Sequence, residues 1–422
     1  MTDLPRRDVL RTLAASALVP PLARAVALVR PVAAGARGVI VRTITAGVAL
    51  DRLDDRGPVD RALVVLARAR RRFEAEGYVV QTTRVTLPPL VARLDAADRT
   101  RALGALRELD ERVTAAGARL GLGPVLVDDR ADAALAPWTA ELVHATPAAS
   151  FSAVIASPEG GVHAHGAHVA ADITRAVAEA LPDGAGSFRF AAAANVPAGT
   201  PFFPVGWHDG PTTLAIGLQS ANTVREAVAG AAGHDDARRR LEARLERELR
   251  AVEAVGTAIA GAERLAYGGI DTSPAPIGDD SIGAAIEALT GVPFGEAGTL
   301  RACAMLTDVV RNVPVRRCGY SGLMLPVLED TVLARRAAEG RFTMGELLLY
   351  SSVCGTGLDV VPVPGDTPPA TLANVMLDVA AQAVKLRKAL SVRLFPVAGK
   401  APGDRVHFED PMLSDSVVMR VS

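Results

Sequence analysis

The sequence predicts an α/β fold: a large, mostly parallel sheet, closed or open, with helical crossovers. Three observations predict it. From residue 38 onward, β-branched runs alternate with stretches whose apolar residues recur at helical spacing, which is the pattern of βαβ units. Half the residues are apolar and only 4% are aromatic, so the interior is built from Ala, Val and Leu. No stretch of the 422 residues reads as a long linker, which predicts a single domain over 37–422 with a core to match its size.

The charge balance narrows the partners. Lys+Arg 46 against Asp+Glu 47 leaves a formal net charge of −1, so no global field favours nucleic acid or an anionic membrane. The cysteines, Cys303, Cys318 and Cys354, lack CxxC spacing and cannot all pair, which excludes a disulfide framework and a structural zinc ribbon. A small-molecule ligand is the expected partner, with a homo-oligomer compatible with the composition.

Residues 1–36 read as an export signal and linker. Arg6 and Arg7 precede a weakly apolar stretch over 12–22 and then Ala23-Arg24-Ala25, a small-x-small cleavage form. This resembles a twin-arginine signal, with Val9 where Phe is commoner, which implies a mature protein outside the cytoplasm; the alternative is a basic amphipathic helix capping the domain of a cytoplasmic protein. No later segment is long and apolar enough to span a bilayer.

The elements follow in order. Strands are expected at 39–49, 78–87 and 124–127, with amphipathic helices at 58–77 and 98–117 between them. Residues 151–156 read as a strand, followed by a helix to 181 whose start carries His163, His165 and His168. Those three share no single face and lack the acid of a helical zinc motif, so they read as a polar helix start. Strands at 187–195 and 212–219 flank a Gly/Pro-rich loop holding His208. Residues 221–260 read as long, charged helix whose arginines face solvent. A strand at 266–270 enters a loop with Asp271 and Ser273, frozen by Pro274 and Pro276. Helices at 282–289 and 300–313, a helical run at 344–353, a strand at 358–363, a helix at 371–389, a strand at 390–397 and a tail ending as an edge strand complete the chain.

Chemistry concentrates in 317–367. Cys354-Gly355-Thr356-Gly357 lets the backbone turn tightly and approach a ligand, with helix C-capping as the plain alternative. Parallel sheets carry their sites at strand C-terminal ends, which brings in Thr43, Thr45, Thr83 and Arg84. Ser273, Ser321, Gly355, Thr356 and Gly357 join Thr45 and Arg84 as the expected substrate-binding set.

Three segments, GGIDTSPAPIGDDSIGAAIEALTG, RRCGYSGLMLPVLED and LYSSVCGTGLDVVPVPGDTP, resemble the bacterial domain-of-unknown-function 711 family and its sister group, uncharacterised protein family 0210. The resemblance runs from residue 39 to the C-terminus and departs at 157–168, where the sister group has a more polar segment. It implies an α/β barrel distantly similar to the ten-stranded barrel of pyruvate formate-lyase and ribonucleotide reductase, with no established activity. By position in that barrel, Cys354 takes the place of the loop cysteine. The chain is short and ends without a glycyl-radical loop, so a thiolate nucleophile is the expected form, helped by His208 and Arg84 if the fold brings them close. Asp271, Asp280, Glu329, Asp330, Asp359 and Asp366 stand near strand–loop junctions of the matching segments. They are expected either to bind Mg²⁺, Mn²⁺ or Ca²⁺, with Asp271, Asp280, Glu329, Asp330 and Asp366 as ligands, or to divide into general acid and base. Some of them have capping of the following helices as a competing role.

The expected function is an enzyme acting on a small polar molecule at one end of the barrel, through Cys354, His208, Asp271 and Asp359. A non-catalytic solute-binding protein is the alternative, and a purely structural role the third class.

Overall fold

A computed structural model of the chain describes residues 38–421. The export signal expected at 1–36 lies outside the described residues.

Strand β1 (Ile40–Gly47) is followed by helix α1 (Gly57–Ala75), β2 (Val80–Thr86), α2 (Ala96–Ala115) and β3 (Arg119–Leu126). Then α3 (Leu135–Ala145) leads into β4 (Ser150–Ser157), β5 (Gly161–Val162), α4 (Ala164–Ala180), α5 (Ala185–Phe188) and β6 (Phe190–Ala194). The chain continues through β7 (Thr213–Gln219), α6 (Ala221–Val228), α7 (His234–Glu263), β8 (Ala266–Ala275), α8 (Ile282–Thr290) and α9 (Thr299–Asn312). It closes with α10 (Thr331–Ala338), α11 (Met344–Ser351), β9 (Gly357–Pro364), α12 (Pro369–Leu386), β10 (Leu390–Val397) and the short pair β11 (Arg405–Val406) and β12 (Ser416–Val417).

Helices α3 and α10 are not among the expected elements, β3 starts at Arg119, and the first two residues of the strand expected at 187–195 belong to α5; three further departures bear on the architecture. The charged stretch after β7 is two helices, because Gly230 takes a left-handed φ of 64° between them. Strand β8 continues past residue 270, since its register with β7 runs through Gly217↔Asp271 to Gln219↔Ala275. Asp271 and Ser273 therefore belong to a strand, not a loop. The tail pairs with itself as β11 and β12 instead of joining the sheet edge, and Ser416 Oγ donates to the Ala334 carbonyl of α10 at 2.9 Å.

The sheet order is β8-β7-β1-β2-β3-β4-β6-β10-β9, with β5 beside β4. Strands β1, β2, β3, β4 and β6 run parallel, while β7 and β10 join them antiparallel at either side. Outside those, β8 is parallel to β7 and β9 parallel to β10. The stretch 316–328 touches both outer strands. Cys318 N donates to the Ile270 carbonyl at 3.0 Å and Val327 N to the Asp359 carbonyl at 3.0 Å.

Side-chain alternation gives the sheet two apolar faces. Ala192 and Ala194 of β6 join the large core shared with the helices, whereas Ala191 and Ala193 pack with Phe202, Val205, Tyr320 and Met324 in a separate cluster. On the helical side, α1 buries Val59, Ala62, Leu66, Ala69 and Phe73, spaced three or four apart, and turns its arginines outward. Helix α7 does the same with Leu241, Leu245, Leu249 and Val252, while Arg244 pairs with Glu248 at 3.0 Å one turn along. That is the solvated face expected of it. The second, smaller apolar cluster borders the candidate site.

Candidate functional site

The cavity lies on the sheet face turned away from the helical core and measures about 130 Å³, room for one small molecule. Its walls are mainly apolar, including Phe188, Phe202, Phe203, Tyr320, Met324 and Met412. Into this lining project five arginines, Arg42, Arg84, Arg119, Arg189 and Arg393, against three carboxylates, Glu329, Asp359 and Asp410.

The strands fix these arginines. Arg42 is the third residue of β1, Arg119 the first of β3, and Arg189 immediately precedes β6. These three thus stand at or near the N-terminal ends of their strands, whereas Arg84, expected from the C-terminal ends, is the fifth of the seven residues of β2. Arg84 and Arg119 are register partners across β2 and β3.

Acids and arginines pair unevenly. Arg393 donates from Nε to Asp359 at 2.7 Å and from Nη2 to Glu329 at 2.6 Å, and Arg42 donates to Glu329 at 3.0 Å. Arg189 is spent on the chain itself: Nε reaches the Ala149 carbonyl at 2.7 Å, Nη1 the Val143 carbonyl at 3.0 Å, and Nη2 the Thr146 hydroxyl. Arg84 donates one bond, to the Pro201 carbonyl at 3.2 Å, and its guanidinium lies over the Phe203 ring at 5.6 Å. Among the described residues neither Arg84 nor Arg119 has a carboxylate within ion-pair distance. Burial, then Arg42 and Arg119, pull the Arg84 guanidinium down to about 9, so it stays cationic at neutral pH. Burial raises the Asp359 carboxyl, with Glu329 adding to the rise and Arg393 opposing it.

The expected residues divide. Arg84, Thr356, Glu329 and Asp359 line the cavity. Thr45 is the register partner of Arg84 on β1, but its hydroxyl donates to the Pro201 carbonyl at 3.1 Å. Asp271 is buried and accepts from Ser273 N at 3.1 Å, Ser273 Oγ at 2.6 Å, Tyr320 N at 2.8 Å and Ser321 N at 2.9 Å, so it organises the 318–322 turn. Ser321 Oγ donates back to the Cys318 carbonyl at 2.9 Å. His208 packs against Gly47 and donates from Nε2 to the Pro211 carbonyl at 2.9 Å; burial lowers its pKa.

Cys354, His208 and Asp271 do not converge. Asp271 is level with Gly217 and Thr43 in the register, while His208 sits at Gly47, four residues further along β1 or ~13 Å of strand. Cys354 is fully buried in the main hydrophobic core and is absent from the cavity lining, with Lys388 Nζ donating to its carbonyl. Gly355 and Gly357 serve backbone packing rather than ligand approach: a Cβ on Gly355 would strike the backbone of Gly322, and one on Gly357 the backbone of Ser391.

The acids expected as metal ligands are also separate. Asp330 caps α10 through Val332 N and Leu333 N and binds Ile282 N and Gly283 N of α8. Asp280 accepts from Gln219 Nε2 at 2.8 Å and from Asn222 N of α6, while Asp366 is exposed. Among the described residues no three His, Cys, Asp or Glu side chains form a group able to hold a metal.

Arg42, Arg119, Arg189 and Arg393 escaped the sequence reading. Their signal is a lone arginine in or beside a β-branched or alanine-rich strand, as in VIVRTIT, GARLGLG, SFRFAAAA and SVRLFPV. A buried strand admits a charge only where it has a partner or a ligand.

The comparisons follow from this geometry. Residues 36–410 match the family model described as Uncharacterised ACR (DUF711). A UPF0210 protein of Pelotomaculum thermopropionicum is 29% identical, covering 87% of this chain and 88% of that one. A UPF0210 protein of Methanopyrus kandleri is 30% identical over 82% of this chain and 80% of its own. A UPF0210 protein of Pyrobaculum islandicum is 37% identical over 65% of this chain, a match spanning 63%, less than two thirds, of that relative's length. The relatives include archaeal proteins, so the family is wider than the bacterial group named at the outset.

Proposed function

The chain belongs to the DUF711 family, and we propose that its cavity takes up a small organic anion and acts on it by acid–base chemistry. One observation carries this reading: Arg84 and Arg119 stand side by side at a largely apolar cavity, and among the described residues neither has a carboxylate within ion-pair distance, Asp110 and Asp410 acting on Arg119 only from further away. Adjacent like charges repel and are costly to desolvate, so the arrangement favours an anion between them. Guanidinium groups bind carboxylate or phosphate oxygens through paired, charge-assisted bonds.

Of the two chemistries expected from the sequence, the carboxylate one has its residue at the cavity. Asp359 borders the ligand space, and burial raises its pKa, which suits a group that takes up and returns a proton. Arg393 holds Asp359 and Glu329 together, one carboxylate to each of two nitrogens. We also propose that 316–328 acts as the strand that closes the sheet into a barrel. Parallel bridges Ile270↔Arg317 and Pro326↔Asp359 support this, since they set the stretch between β8 and β9.

The test is calorimetric titration of the protein with acetate, propionate, succinate and inorganic phosphate at low salt. Saturable binding by at least one, weakened tenfold or more in both Arg84→Met and Arg119→Met, is expected. No binding at millimolar concentrations, or binding indifferent to both substitutions, overturns the reading.

A further inference from the structure

The cavity holds a second set of unsatisfied donors on its other wall. Arg393 is 4% exposed, and Nη1 has no partner among the described residues although Nε and Nη2 are both engaged. Thr356 is 2% exposed, and its hydroxyl is likewise unpartnered. The residue is nevertheless firmly placed, because its carbonyl accepts from Ser391 N at 2.7 Å and from Ser391 Oγ at 3.0 Å. Ser391 and Arg393 are two residues apart along β10 and so share a face, and both line the cavity with Thr356.

Neighbours do not fill these valences. Tyr320, also on this wall, donates its hydroxyl to Ser391 Oγ at 2.9 Å. Buried donors left unpaired are costly, and two of them on one lining point to an acceptor that the chain does not supply. Arg393 and Thr356 enter the cavity from the β10–β9 side, whereas Arg84 and Arg119 enter it from β2 and β3.

Resting on the anion reading above, we infer that the ligand is two-ended: one carboxylate or phosphate at Arg84 and Arg119, and a second oxygen-bearing acceptor at Arg393 Nη1 and the Thr356 hydroxyl. A small dicarboxylate, or an acid with a keto or phosphate group at its far end, has this chemistry. The apolar lining between the two ends, with Phe203 and Met324, suits a short carbon skeleton. Asp359 then lies at the second end, beside the group whose protons are to move.

The experiment pairs each diacid with a monoacid of the same chain length. Malonate, succinate and glutarate are titrated into the full chain beside propionate, butyrate and valerate. At least one diacid is expected to bind ten times more tightly than its monoacid, and Thr356→Val to shrink that ratio at least threefold. Valine matches threonine in shape and removes a hydroxyl that bonds nothing in the protein, and circular dichroism of the variant monitors its fold. Diacids and monoacids binding equally, or an unchanged ratio in Thr356→Val, overturns the two-ended ligand while leaving anion uptake intact. Absence of binding by every acid overturns both.

Discussion

Arg84 and Arg119 face each other as register partners on adjacent parallel strands, and no carboxylate pairs with either among the described residues. Strand neighbours lie about 4.8 Å apart, so the empty protein holds two positive charges together in a partly desolvated space. Arg119→Met should therefore raise the stability of the ligand-free protein by about 0.5–1 kcal/mol in urea titration while abolishing anion-induced stabilisation. A destabilised variant that still responds to anions would show Arg119 to be structural.

Asp359 gives the pH dependence. Its folded-state pKa is raised, so the folded protein holds the proton more tightly than the unfolded chain. The stability tied to that proton is full below the unfolded carboxyl value and is lost as pH rises through the folded one. An anion beside Asp359 favours the protonated form for the same reason. Anion binding should tighten as pH falls through the Asp359 titration, by up to about tenfold per unit there, and Asp359→Asn should flatten the profile. Calorimetry across a pH series decides it. An equally steep profile in the variant assigns the proton to another group.

The cysteines differ in access. Cys303 and Cys354 are both fully buried, whereas Cys318 is partly exposed. Burial pushes the Cys303 thiol up, and burial together with Asp271 does the same to Cys318. Native protein should react slowly with iodoacetamide, at Cys318 first. Peptide mass spectrometry showing Cys354 labelled ahead of Cys318 would return it to the list of nucleophiles.

Asp330 joins two helices. Its Oδ1 accepts from Ser281 Oγ at 2.6 Å, Val332 N at 2.9 Å and Leu333 N at 3.1 Å, and its Oδ2 from Ile282 N at 2.7 Å and Gly283 N at 3.1 Å. With its oxygens already engaged, millimolar Mg²⁺ should leave the unfolding midpoint unchanged, and Asp330→Ala should cost about 2–4 kcal/mol in urea. A magnesium-dependent rise that Asp330→Ala removes would make it a ligand instead.

The strand–helix rhythm was legible because its periods are local. The strand expected at 390–397 is β10 residue for residue, and the run 282–289 falls within α8. Pairing is not local: Asp271 reads as a loop acid from its prolines, yet β7, more than fifty residues earlier, draws it into a strand. The glycines around Cys354 signal a close approach, but the approaching group is the Gly322 backbone, which no local pattern specifies. Arg84 was reachable from strand position; Arg42, Arg119 and Arg393 required knowing which strands share an inner face.

The cavity wall draws on residues from Arg42 to Met412, and β10 must insert between β6 and β9 before the Arg393 side exists. During synthesis the Arg84–Arg119 pair therefore emerges long before its opposite wall. A chain halted short of β10 carries Arg84 and Arg119 without the Arg393 side of the cavity. On the anion proposal, uptake belongs to the finished chain, and a ligand that binds only the finished cavity would act as a proofreader of completed folding.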